Sequence, residues 1–190
     1  MANCESTEFS KAIEGDEPAI QRFRQPTDRH SAFAPLIGNW SVEMTTRDAE
    51  GNVTSSSNSI HAEKRFIGDG RYVREDISGE IGGGQHEKLS ILGFNNIRSR
   101  YEYSTADNFD AVILLYTSAP GSDLDPCRIE TFAKYVYAGD EQSPVGTLVT
   151  IRTVIEIESD DRHILRNYYN APGADEYLFL EYIYSRVSGP

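Results

Sequence analysis

The chain has 190 residues, enough for one domain with a sizeable core. Its 30 acidic residues against 18 basic ones give a formal net charge of -12. That excess argues against nucleic acid, which is bound through a positive surface, and against anionic membrane surfaces.

No stretch approaches the ~18 apolar residues of a membrane span. The N-terminus, Met1 to Glu8, lacks the basic start and apolar run of a signal peptide. Cys4 and Cys127 are the only cysteines. Two free thiols are expected, which suit a reducing compartment, so the expected location is the cytoplasm.

Residues 1–34 read as an acidic, partly helical arm. Pro18 to Arg24 can form one or two helical turns, with Asp16 as cap and Pro26 as stop. A second short turn carries Phe33 and Leu36 towards the core. From Trp40 the period becomes two, with Trp40, Val42 and Met44 on one face and Ser41, Glu43 and Thr45 on the other. Turn signals then recur at Asp48 to Asn52, Gly68-Asp69-Gly70, Gly82-Gly83-Gly84 and Asn95-Asn96. Ala111 to Thr117 is nearly all apolar and is expected to be buried on both faces or to lie under a plug. Arg128–Tyr137, Thr147–Glu158, Ile164–Asn170 and Tyr177–Val187 complete about ten strands. Connections are short, so sequence neighbours should pair. A meander of this length removes its edges by closing, which predicts an all-β, antiparallel up-and-down barrel over residues 35–190.

Gly38-x-Trp40 on the first strand and Arg186 on the last resemble the calycin pattern of lipocalins. In that pattern the Trp closes one end of the barrel and the Arg packs across it. The bacterial domain-of-unknown-function family 1579 is resembled more closely. The residues that carry this are Leu36-Ile37-Gly38-Asn39-Trp40, Gly68-Asp69-Gly70-Arg71, Ile91-Leu92-Gly93-Phe94-Asn95, Arg152 to Glu156, and Glu181 to Arg186. Phe94-Asn95 replaces the usual Tyr-Asp. The resemblance implies a calycin-like barrel with an internal pocket and no general activity.

Candidate chemistry is sparse. His30, His61, His86 and His163 show no metal-ligand spacing. Haem needs a proximal His on a late strand, and His163 reads as a turn residue, so no cofactor is expected. There is no Gly-x-Ser-x-Gly elbow, Walker loop or dinucleotide fingerprint.

Thr150, Arg152, Glu156 and Glu158 share one face of their strand, and Ile151, Thr153, Ile155 and Ile157 the other. One reading makes Arg152 and Glu156 a solvated ladder. The other turns Arg152 into the lumen, partnered by Glu181 among Tyr177, Phe179 and Ile183, where desolvation would raise the carboxyl pKa. With Tyr168 these make the candidate catalytic set. Tyr101, Tyr103, Tyr116, Tyr135 and Phe179 are the candidate ligand-binding set, because flat amphipathic rings suit an aromatic guest.

Three functions stay open: a module that binds a hydrophobic or aromatic small molecule, a cofactor-independent cyclase, isomerase or dehydratase, and a filled barrel without a pocket. The expected partner is therefore a small molecule, and a homodimer stays open.

Overall fold

The computed structural model describes residues 19–119, 125, 127–136 and 145–187. Two short helices, α1 (Ala19–Arg24) and α2 (Asp28–Ser31), and a 3-10 turn (Ala34–Leu36) precede ten strands. The strands are β1 (Gly38–Arg47), β2 (Val53–Ile67), β3 (Tyr72–Ile81), β4 (Gly84–Asn95), β5 (Arg100–Asp107), β6 (Ile113–Thr117), β7 (Arg128–Val136), β8 (Leu148–Ser159), β9 (Arg162–Asn170) and β10 (Tyr177–Arg186). Each pairs antiparallel with its sequence neighbours, and β10 returns to β1, closing the barrel. The all-β closed meander expected from the turn rhythm is the fold. Residues 1–18 with Cys4, the loop signals at 120–124 and 139–140, and Tyr137 lie outside the described residues.

Alternation sets the two faces. Trp40, Val42 and Met44 of β1 are buried, as are Ile151, Thr153, Ile155 and Ile157 of β8. The arm seals the end where β1 begins. Thr27 opens α2, and its backbone N–H donates to His30 Nδ1 at 2.9 Å. This turns buried His30 and Phe33 towards Phe94 and Tyr101.

Three expectations need correction. First, β6 is not covered on both faces: Ile113 and Leu115 are 69% and 71% exposed, while Tyr116 points inward. No plug covers the outer face there among the described residues, and β6 meets β7 through the single register pair Thr117–Phe132. Second, His163 lies within β9, not at a turn, because that strand begins earlier, at Arg162. Third, Cys127 is disulfide-bonded and is not a free thiol, which removes the cysteine argument for a reducing compartment. Among the described residues no helix is long and apolar enough to cross a membrane.

Candidate functional site in the barrel lumen

At the closed end Trp40 is buried, and its Nε1–H donates to Leu36 O at 3.0 Å. The Arg186 guanidinium lies 4.3 Å from the indole centroid, a cation–π contact. It also donates to Pro35 O (2.9 Å), Ile37 O (2.7 Å) and Asp160 O (2.7 Å). The arm, the floor and the last hairpin are thus tied by one side chain. Gly38 leaves room for it: a Cβ there would lie 2.2 Å from Arg186 Nη1, and its φ of +140° disfavours other residues.

Above the floor sit charges that the apolar rhythm does not announce. Lys64 of β2 and Glu75 of β3 are paired at 3.0 Å with both side chains 6% exposed. Lys64 Nζ also donates to His163 Nε2 at 2.7 Å and sits 3.8 Å over the Tyr184 ring. The His163 ring stacks on Tyr184 at 4.2 Å and meets Trp40 edge-on at 4.3 Å. Burial pushes the Glu75 carboxyl up, but the Lys64 and Lys88 ammonium groups outweigh it and hold it well below the usual carboxylate range. Burial lowers Lys64, with Glu75 opposing. Burial, reinforced by Lys64 and Arg186, keeps His163 neutral.

Further towards the mouth the lining is tyrosine and hydroxyl. Tyr103 and Tyr116 pack at 5.3 Å, and the Tyr103 hydroxyl donates to Ser90 Oγ at 3.3 Å. Lys88 of β4 lies 4.9 Å over the Tyr182 ring. Thr105, Thr131 and Thr153 are buried among them, and Thr153 Oγ1 donates to Asn167 Oδ1 at 2.7 Å. Burial pushes the Tyr116 and Tyr182 phenols up to about 12. At the mouth, Tyr169 stacks on Phe179 at 4.2 Å, His86 stacks on Phe109 at 4.8 Å, and the Tyr135 hydroxyl donates to Asp110 Oδ2 at 3.3 Å.

The expected catalytic set is not in this lumen. Arg152, Tyr168 and Glu181 project from the outer face. Arg152 bonds Glu130 (2.9 Å) and Glu176 (2.5 Å) and stacks over Tyr168 at 4.0 Å. Glu181 pairs with Arg166 at 2.7 Å, not with Arg152, and Arg166 also meets Glu156. This is the solvated ladder, built because the opposite face of β8 carries the isoleucines.

A register shift between Leu178 and Leu180 explains why Phe179 and Glu181 part company: Phe179 stacks on Tyr169 while Glu181 faces out. Of the expected ligand-binding set, Tyr103 and Tyr116 meet in the lumen and Tyr135 and Phe179 reach its mouth. Tyr101 instead packs under Phe33 and Phe94 in the closed end. Arg152→Ala should therefore cost only about 1 kcal/mol, the scale of a half-exposed ion-pair network. Thermal denaturation checks this, and a loss above about 3 kcal/mol would mean that the ladder is structural.

The barrel also carries a groove of about 820 Å³ between α1 and β3–β6, touched by Phe23, Arg71, Tyr72, Arg100 and Leu115 and by Tyr103 and Tyr116. Two of its cations are already engaged: Arg71 Nε donates to Arg24 O, and Arg100 pairs with Glu102. The lumen, where buried charge converges, is the stronger site.

A model of a protein family of unknown function, DUF1579, matches residues 25–186. The chain belongs to the DUF1579 family. The match takes in α2, the Trp40 floor and Arg186. None of the curated proteins matches the sequence. Among solved structures, the crystal structure of Rv2717c from M. tuberculosis is similar at 14% identity and a TM-score of 0.56, covering 86% of this chain and 100% of that one. At that identity the likeness bears on fold alone.

Within this DUF1579 barrel, sequence reasoning missed Lys64, Glu75 and Lys88, and it set His163 aside as a turn residue. A signal was present. Ile60-x-Ala62-x-Lys64, Val73-x-Glu75-x-Ile77 and Lys88-x-Ser90-x-Leu92 put a charge in the apolar phase of a strand.

Proposed function

We propose that this DUF1579 protein binds a hydrophobic or aromatic small molecule in its lumen. The observation that carries this reading is the lining above the floor. Tyr103, Tyr116, Tyr169 and Tyr182 present flat ring faces, interleaved with Ser90, Thr105, Thr131 and Thr153. A core selected for packing alone favours aliphatic side chains without polar atoms. Rings with a few placed hydroxyls are the lining of a ligand pocket.

The neutral fluorophore N-phenyl-1-naphthylamine tests it. Saturable one-to-one binding to the folded protein is expected. Thr131→Phe, which projects a ring into the lumen, should weaken it about tenfold or more. Arg152→Ala should leave it unchanged. No saturable binding to the wild-type protein would overturn the reading.

A second reading, a cofactor-free isomerase, cyclase or dehydratase, draws on Glu75, Lys64 and His163 instead of Glu181, Arg152 and Tyr168. It is the weaker of the two. A carboxyl held far below its usual range is a poor base, and phenols raised to about 12 are poor acids near neutrality.

A further inference from the structure

The ionised groups that face the lumen do not cancel. Lys64 and Glu75 neutralise each other at 3.0 Å. Lys88 is left over. It is only 9% exposed, and among the described residues no carboxylate holds its ammonium in an ion pair, Glu75 and Asp107 acting on it only at longer range. Asp107 is its cross-strand partner on β5, but Asp107 Oδ1 accepts the N–H groups of Phe109 (2.9 Å) and Asp110 (3.1 Å) and so caps the turn. What lies under the ammonium is the face of Tyr182, at 4.9 Å. Burial disfavours the charge on Lys88, yet Tyr182, Glu75, Tyr116 and Asp107 outweigh it and raise its pKa, so the amine stays protonated. A largely buried cation with no counter-ion in contact is costly to hold, and an anionic ligand would supply that contact.

We propose that the lumen takes a flat aromatic monoanion, with a carboxylate or phenolate oxygen on the Lys88 ammonium and its ring between the tyrosine faces. This rests on the lumen-binding reading above and names its ligand class. One charge is matched because one cation is free. Beside the Glu75 and Asp107 carboxylates and the His86 ring, the polar groups around Lys88 include hydroxyls, from Ser90 two residues along β4, its cross-strand partner Thr105 and Tyr116, suited to the second oxygen of a carboxylate. The tyrosine pair at 5.3 Å and the Tyr182 ring supply the flat walls. At the mouth Asp107 and Asp110 repel more highly charged anions, such as phosphate esters.

The test uses 2-naphthoate and its neutral isostere 2-naphthamide, titrated calorimetrically into the full chain. The wild-type protein should bind naphthoate about tenfold more tightly or better, the scale of a charge-assisted hydrogen bond. Lys88→Met should erase that preference while leaving naphthamide affinity within about threefold. Lys88→Arg should retain it.

Should the Met variant fail to fold, nuclear Overhauser contacts in the wild-type complex serve instead, from naphthoate ring protons to the Lys88 ε-methylene and the Tyr182 ring. Equal affinity for acid and amide, or no such contacts, overturns the anion proposal and leaves the lumen-binding reading standing. Failure of both probes and of the neutral fluorophore overturns the two together.

Discussion

Glu75→Gln is expected to destabilise the barrel by about 3–5 kcal/mol, the cost of leaving one member of a buried ion pair unmatched. Without Glu75 nothing opposes the burial and the Lys88 charge that lower Lys64, which must hold an unmatched charge or give up its proton in a site 6% exposed. For a chain of this size the melting temperature should fall by about 6–20 °C. The double variant Lys64→Met/Glu75→Leu should recover most of the loss, because it removes both charges and keeps the volume. A single-variant loss below about 1 kcal/mol, or a double variant no better than the single, would mean that the pair does not hold β2 to β3.

The same pair sets an acid limit. Glu75 has a folded pKa below its unfolded value of about 4.3, so its contribution is whole above that pH and is lost as pH falls towards the folded pKa. His163 is also depressed, so the unfolded chain takes up its proton first below about pH 6.5. Stability of the wild-type protein should therefore decline in two stages on acidification, and the second should be smaller in Glu75→Gln, where Glu130, despite burial also held low by its arginines, remains.

Arg186→Ala should cost about 3–5 kcal/mol, because three charge-assisted hydrogen bonds to backbone carbonyls and the indole contact go together. Lysine should rescue less than half of it: one ammonium cannot reproduce a planar fork that spans Pro35, Ile37 and Asp160. Gly38→Ala should destabilise by about 2 kcal/mol or more, since its Cβ collides with the guanidinium and the backbone is in a region other residues avoid. Combined, the two substitutions should cost less than their sum, because removing the arginine relieves the clash. Denaturant melts of the four proteins close this cycle. Strict additivity would show that Gly38 matters only for its backbone.

The barrel was legible in the sequence because it rests on local rules, and its closed end was legible through the resemblance to the calycin pattern. Gly82-Gly83 and Pro172-Gly173 mark hairpins by turn chemistry alone, and Gly38-x-Trp40 with Arg186 names the floor. The site was not legible for the opposite reason. Binary patterning assigns apolar residues to the inside and charges to the outside, and it does so correctly for Arg152. It fails at Lys64, Glu75 and Lys88, where a charge occupies an inward position and only the flanking Ile60, Val73 and Leu92 reveal the phase. Glu181 misled because strict alternation was carried through a bulge, and one register shift separated it from Phe179. Departures from patterning concentrate where a fold gives up packing for function.

The clamp at Trp40 also dictates when the molecule can be finished. Its two halves, Trp40 and Arg186, are cross-strand partners at opposite ends of the barrel sequence. On a ribosome adding roughly 5–20 residues per second, the first strand waits on the order of 10 s for the last. Through that interval β1 has β2 on one side and an unpaired edge on the other. Hairpins can form locally as they emerge, but the floor cannot seal, and the Lys64–Glu75 pair cannot become dry, until β10 arrives. Biosynthesis of this barrel is therefore a race between completing the chain and protecting its oldest edge.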